Sequence, residues 1–278
     1  MTRILTLGYS PCPNDTFIFH ALVHNLIPTP GFAVRERLED VETLNRLALA
    51  GTLDLTKVSC HALGHLRGRY ALLRSGGALG RGCGPLVVAA APTTMAALRG
   101  RRIAVPGTLT TANLLLQLYG EGFSDVVPMS FERIMPALRN GEADAGVIIH
   151  ESRFTYRAAG FHAVQDLGAW WEEETRLPIP LGCILARRDL GAERVRAVEG
   201  AIRASLEHAR KHPGAARAYI GAHAQELDDA VTAAHIDLYV NEFSRDLGDE
   251  GVHAVTTLLA RAEARGLIPK CDLPLFIE

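Results

Sequence analysis

Short apolar runs alternate with amphipathic stretches along most of this chain. Arg3–Gly8 and Phe32–Leu38 read as strands, too brief for helices and bounded by Gly or Pro. Between them, the two prolines of Ser10–Thr16 keep that loop out of helix, and Asn14, Asp15 or Thr16 can cap a helix over Phe17–Leu26. Asp40 opens a helix to Ala50 with Leu44, Leu47 and Ala48 on one face, and Gly51 stops it. Leu53–Ser59 is again a strand, followed by a helix from Cys60 towards Arg69. The segment Tyr70–Arg74, the loop Ser75–Gly84 and a strand over Pro85–Ala91 come next.

The order then repeats. After a short helix over Thr93–Leu98 come a strand at Arg101–Val105, the turn Pro106–Thr111 and a helix carrying Leu114, Leu115 and Leu118. Val126–Ser130 is a strand, Phe131–Arg139 a helix, and Ala145–Ile149 a buried strand that ends on His150. Gly51-Thr52-Leu53-Asp54 and Gly141-Glu142-Ala143-Asp144 introduce matching strands 90 residues apart. A shared order of strand, turn-helix, strand, helix and G-x-x-D strand implies two lobes of one design. His150 of one lobe then corresponds to Cys60, beside Ser59, of the other, both at strand ends that can face a common cleft. The fold class expected is α/β.

A strand and short helix over Val164–Glu172 precede the apolar run Leu177–Arg187. Pro85–Ala91 and Pro180–Arg187 read as two crossing strands that join the lobes, with residues 1–88 and 185–278 as a large lobe and 89–184 as a small one. The remainder reads as helices over about Glu193–Lys211, Pro213–Ala224, Asp228–Tyr239 and Asp249–Arg265, the last closed by Gly266. These are expected to pack on the first lobe.

Composition narrows the functional classes. With 278 residues, 48% hydrophobic and 22% charged, the chain can bury a sizeable core. A net charge of −2 with interspersed signs excludes the basic footprint of a nucleic-acid binder. No apolar run approaches the ~18 residues of a membrane span. The start, MTRILTLGYSPCPND, lacks a signal-peptide core, and five scattered cysteines without a C-x-x-C pair argue against disulfides or structural zinc. A cytoplasmic location is the expectation.

Several motifs are weighed and set aside. The glycines of Ser75–Gly84 have the wrong spacing for a dinucleotide fingerprint, and neither G-x-S-x-G nor a P-loop occurs. His20/His24, His61/His65 and His208/His212 are spaced i, i+4, yet lack a third ligand for zinc and read as solvent-facing. Lys57 can act as a Schiff-base nucleophile or bind an anion, and Cys12 can be nucleophilic at a helix N-terminus. His150 either finishes a turn or meets a ligand beyond the carboxyl end of its strand, where His is also the usual general base.

GYSPCPNDTFIF (Gly8–Phe19), LEDVETLNRLA (Leu38–Ala48), LTKVS (Leu55–Ser59), SGGALGRGCGPLVV (Ser75–Val88), IIHESRFTY (Ile148–Tyr156) and DLGAWWEEETRLPIPLG (Asp166–Gly182) together resemble the 1,4-dihydroxy-6-naphthoate synthase family of the futalosine route to menaquinone. The resemblance implies a two-lobed, type II periplasmic-binding-protein-like fold turned into a cytoplasmic enzyme. It implies a lyase that converts cyclic dehypoxanthinyl futalosine to 1,4-dihydroxy-6-naphthoate and dihydroxyacetone, with His150 as catalytic base. Substrate contacts are implied at Lys57, Val58 and Ser59 and at Thr110 and Thr111. No cofactor, metal or protein partner is implied, only the small-molecule substrate. The alternatives are a small-carboxylate binding protein, cytoplasmic or periplasmic, and a related chorismate dehydratase.

Overall fold

The computed structural model describes residues 2–150, 152–224 and 228–277. Glu151, which follows the strand-end histidine, lies outside the described residues. The strands are β1 (Arg3–Tyr9), β2 (Phe32–Leu38), β3 (Leu55–Ser59), β4 (Tyr70–Leu72), β5 (Ala78–Gly80), β6 (Leu86–Ala89), β7 (Ile103–Val105), β8 (Val126–Pro128), β9 (Ala145–Ile148), β10 (His162–Asp166) and β11 (Ile179–Arg187). The helices are α1 (Pro13–Val23), α2 (Val41–Ala50), α3 (Cys60–Leu66), α4 (Thr111–Tyr119), α5 (Phe131–Arg139), α6 (Ser152–Thr155), α7 (Leu167–Thr175), α8 (Ala192–Lys211), α9 (Arg217–His223), α10 (Asp229–Tyr239), α11 (Glu242–Arg245) and α12 (Gly248–Ala264).

Two sheets form. The first has the order β2-β1-β3-β11-β4, with β5 also paired to β11, and the second has the order β10-β6-β9-β7-β8. In the first, β1 lies parallel between β2 and β3, and antiparallel β11 adds beside β3. In the second, β7 lies parallel between β8 and β9, and antiparallel β6 adds beside β9. The internal repeat read from the two G-x-x-D strands is therefore a repeat of strand order and direction. Central strands buried on both faces explain the apolar run at Ala145–Ile148 and the unbroken burial of Leu55–Ser59, whose Thr56, Lys57 and Ser59 are polar.

The expected crossing strands do not cross. β11 is laddered to β3, β4 and β5 over its length, and β6 is laddered between β9 and β10. Boundaries at 88/89 and 184/185 fall inside these strands, separating Ala89 from the rest of β6 and Leu185–Arg187 from the rest of β11. The chain instead passes between the sheets at residues 81–85 and 176–178. The helix expected to begin at Phe17 begins at Pro13, because proline at the first helical position gives up an N–H that would have no acceptor anyway. The expected helix at Thr93–Leu98 is only a series of turns.

Three apolar clusters hold the layers. One packs β1 and the start of β2 against α1, α8 and α9 through Leu5, Leu7, Phe19, Leu22, Phe32, Ile202 and Ile220. A small one packs the outer face of the second sheet on α5 through Val88, Ala104, Ile134 and Leu138. The largest runs through both sheets, joining Val58, Leu72 and Leu185 of the first to Val87, Ile103 and Val147 of the second, with Trp171 of α7 and Leu258 of α12 between them. The C-terminal helices thus serve the first sheet as expected, but α12 also reaches the second-sheet layer: Arg265, just beyond it, bonds the Gln117 carbonyl of α4 at 3.3 Å.

The i, i+4 histidines are not uniformly solvent-facing. His20 and His61 are buried, whereas His24 and His65 are exposed. Helices α1 and α3 are covered on more than one side, which the two-residue spacing cannot reveal.

Candidate active site

Strand ends from both sheets converge on a cavity open to solvent. Ser10, Asn14 and Asp15 line it from the turn after β1 and the start of α1, and Lys57 and Ser59 from the end of β3. Opposite them stand Thr110, Thr111 and Ala112 at the start of α4 and Ile149 and His150 beyond β9. Val41, Ala78, Pro85, Leu181 and Tyr239 give the walls an apolar character that suits a ring system. A second cavity, lined by Cys12, Glu39, Asp40, Pro106, Ser130 and Phe131, shares Ser10, Val41 and His150 with the first. His150 therefore stands at the junction of two chambers.

His150 is held in an uncommon backbone conformation, φ 56°, at the end of its strand. Its Nδ1 lies 3.6 Å from the Cys12 sulfur, which is the N-cap of α1. The ring packs on Phe131 at 5.0 Å and lies nearly parallel to His235 at 6.1 Å between centroids. His235 comes from α10 and is fully buried. Burial, reinforced by His150 and Lys57, pushes its pKa down to about 3.

Lys57 is not an available cation. Its Nζ donates to Asp15 Oδ1 at 2.5 Å, and both groups are buried. Asp15 also accepts from Asn14 Nδ2 at 2.8 Å and from the Ser10 hydroxyl at 2.7 Å. The pair is neutral as a unit, so an anion in the cavity must be met by hydrogen-bond donors rather than by net charge. Gly182, opposite Ser59 on β11, makes room for Lys57: a Cβ there would sit 2.9 Å from Lys57 Cε.

The donors are in place. Ser59 receives Asn45 Nδ2 at 3.3 Å, and its own N–H donates to Asn45 Oδ1, so the hydroxyl hydrogen can be turned to a ligand. Thr110 caps α4 by accepting from Asn113 N–H while donating to the Gly107 carbonyl at 2.8 Å. The Thr111 hydroxyl donates to the Leu181 carbonyl at 2.5 Å. Both hydroxyl hydrogens are thus committed, and what α4 offers the cavity is its first-turn N–H groups at Thr111 and Ala112, which have no intrahelical acceptor.

A buried carboxylate closes the rim. Glu42 of α2 accepts from the Thr108 N–H at 3.1 Å and hydroxyl at 3.0 Å, and from Leu109 N–H at 3.2 Å. Gly107 permits this approach: its φ is +143°, and a Cβ there would lie 2.5 Å from Glu42 Oε2. His61 adds a second contact across the rim, its Nδ1 lying 3.3 Å from the Thr110 carbonyl oxygen, and burial pushes its pKa down to about 4. Among the described residues, no group of three or more His, Cys, Asp or Glu is arranged to hold a metal. No described helix is long and apolar enough to cross a membrane.

Comparison with known proteins decides the family. A family model described as menaquinone biosynthesis matches residues 5–264. The chain belongs to this family. A curated member from Thermus thermophilus, named 1,4-dihydroxy-6-naphtoate synthase, is 57% identical over 273 residues, covering 98% of this chain and 99% of the relative. A Streptomyces coelicolor protein of the same name is 49% identical over 271 residues, 95% of each chain. A solved Archaeoglobus fulgidus protein superposes with a TM-score of 0.90 at 38% identity, covering 95% of this chain and 98% of that one. The Escherichia coli periplasmic aliphatic sulphonate binding protein gives a TM-score of 0.68 at 16% identity, covering 100% of this chain and 92% of that one. That likeness establishes the two-lobed, type II periplasmic-binding-protein-like fold for this member of the menaquinone-biosynthesis family.

Of the residues singled out in the sequence of this family member, His150, Lys57, Ser59, Thr110 and Thr111 all line one cavity. Val58 does not: its side chain points the other way from those of Lys57 and Ser59 and is buried in the apolar core. Cys60, the counterpart of His150 in the repeat, is also core, a free thiol hydrogen-bonded with Cys183, its pKa raised by that hydrogen bond and by burial. Sequence reasoning missed the roles of Asp15, Asn45, Glu42 and His235. Asp15 and Glu42 lay inside quoted motifs but read as helix-start residues, and His235 had no local signal at all.

Proposed function

We propose that this chain is a cofactor-free, cytoplasmic carbon–carbon lyase that converts cyclic dehypoxanthinyl futalosine to 1,4-dihydroxy-6-naphthoate and dihydroxyacetone. The observation that carries the reading is the position of His150, at the junction of two chambers with Nδ1 directed at Cys12. In a neutral imidazole, donation from Nδ1–H to the sulfur leaves Nε2 as the basic nitrogen. His150 then removes a proton from the sugar-derived portion of the substrate. The carbon–carbon bond to the three-carbon fragment breaks, and aromatisation of the second ring draws the fragmentation forward.

The aromatic carboxylate is met by Ser59 Oγ–H and by the N–H groups of Thr111 and Ala112, where an anion gains about 0.3–1 kcal/mol when exposed and up to ~2 kcal/mol when partly buried. A positioned base supplies a factor of about 10²–10⁴, so orientation between the lobes carries much of the remaining acceleration. The curated relatives of the same name support this assignment over simple binding or a chorismate dehydratase.

The test is direct. Purified protein is incubated with the cyclic futalosine derivative and both products are followed by chromatography. Product from wild type, and loss of about 10²-fold or more in kcat for His150→Asn at unchanged substrate affinity, is the expected result. Tight binding of a carboxylate without turnover would instead mark the chain as a binding protein, and retained turnover in His150→Asn would remove the base.

A further inference from the structure

We infer that His235 is a positioning residue for the cavity: its ring N–H holds the Asn14 amide in the one orientation that keeps an amide hydrogen for the substrate. The inference rests on the reaction proposed above.

Asn14 sits in the first turn of α1 and lines the cavity, although its side chain is almost wholly enclosed. Its Nδ2 lies 2.8 Å from Asp15 Oδ1 and its Oδ1 lies 2.9 Å from His235 Nε2. The Asp15 carboxylate is bonded by Lys57 and can only accept, so the amide nitrogen must face it. The amide oxygen then faces His235, and Nε2 must carry the proton. Either flip of the amide would set oxygen against carboxylate, so Asp15 and His235 together define one rotamer. One amide hydrogen goes to Asp15, and the second remains as a donor on the cavity wall.

The choice of histidine for this role has a physical reason. Among the groups that face His235 are Asn14 of α1, Lys57 of β3, His150 beyond β9, and Tyr239 of its own helix, whose ring centroid is 4.6 Å away. Burial keeps His235 neutral, with its pKa near 3, and the neighbouring His150 and Lys57 push it in the same direction. The ring therefore supplies a donor without a charge. Its flat face, inclined 14° to His150, also backs the proposed base. A carbonyl, carboxylate or hydroxyl oxygen of the substrate is the chemical group that Asn14 would receive.

The experiment compares His235→Leu, which removes the donor, with His235→Gln, whose amide N–H occupies the place of Nε2–H. His235→Leu is expected to lower kcat/KM by about tenfold or more, the worth of one hydrogen bond to substrate, and His235→Gln to recover most of it. Asn14→Ala should lose a similar factor, and adding His235→Leu to it should cost less than about twofold more. Wild-type kcat and KM in a folded His235→Leu variant, or additive losses in the double variant, would overturn the inference. The ¹⁵N imidazole spectrum of the wild-type protein gives a reading independent of turnover and of variant folding. An Nε2–H tautomer supports the clamp and an Nδ1–H tautomer refutes it, whereas a wild-type protein that makes no naphthoate product defeats the proposed reaction.

Discussion

Glu42→Gln replaces one carboxylate oxygen by an amide nitrogen and should loosen the contact between the lobes. The carboxylate receives Thr108 N–H and Oγ–H on Oε1, and Leu109 N–H and Asn45 Nδ2 on Oε2. In the amide, one oxygen can keep the Thr108 pair, but the NH2 group then confronts two donors. Two charge-assisted bonds are lost at about 1.5 kcal/mol each, the low end of their range because water at the rim can replace part of them, but the Asn45 bond lies within α2, so about 1.5 kcal/mol bears on the contact between the lobes. Arg46, 3.6 Å from Glu42 but largely exposed, offsets little of this. The donors at 108 and 109 follow β7 whereas Glu42 belongs to α2 beside the first sheet, so the loss of the Leu109 bond falls on the closed arrangement. A shift of ~1.5 kcal/mol is worth roughly tenfold in population. Small-angle scattering should register a larger radius of gyration, and KM should rise by about tenfold. Gly107→Ala should reproduce the effect by pushing the carboxylate aside. An unchanged KM and radius of gyration in Glu42→Gln would refute the reasoning, as would a loss of global stability that leaves both untouched.

Other outcomes follow from the buried charges. Asp15→Asn strands Lys57 in the interior and should cost about 3–5 kcal/mol of unfolding free energy, read from urea melts; a change under 1 kcal/mol would mean Lys57 finds another partner. His61 and His235, with pKa values of about 4 and 3, lie below the ~6.5 of an unfolded histidine. Stability is complete above about pH 6.5 and is lost as pH falls, because the unfolded chain takes up protons that the folded one refuses. At ~1.4 kcal/mol per pH unit for each residue, the loss reaches at most about 4 kcal/mol by pH 5. His61→Gln should roughly halve that slope in pH-dependent melts. Thr111→Val removes the hydroxyl bonded to the Leu181 carbonyl but keeps the N–H, so it should lower stability by about 1 kcal/mol while leaving KM within a few-fold.

The strands were legible where buried strands write themselves as short apolar runs, as at Ala145–Ile148, and where the chain restarts after a helix-stopping Gly51, as at Leu55–Ser59, expected from Leu53. The repeat was legible because Gly51 and Gly141 mark the same turn before each. The passages between the sheets were not, since β6 and β11 carry the same apolar signal whether they cross or pair. The cavity residues on strand ends and helix starts could be named from their motifs, except Val58, where one step along a strand reverses the side chain. Their hydrogen-bond duties could not, because Thr110 and Thr111 spend their hydroxyls on carbonyls brought in by the turn and by β11. His235 lay beyond reach: it meets Asn14 from 221 positions away, and only the packing of α10 on α1 joins them.

The apolar cluster that runs through both sheets has a mechanical meaning. A solute-binding protein closes and opens about its hinge to capture and hand over its cargo. Here Trp171, Leu79, Val87 and Ile179 fill the seam between the sheets, and parting them would expose packed side chains to water. The seam is therefore the costly place to part the lobes, whereas at the opposite edge a few hydrogen bonds, between the Thr108–Thr110 turn and Glu42 and His61, are what must be broken. Such a molecule is built to retain what it holds until it has been changed.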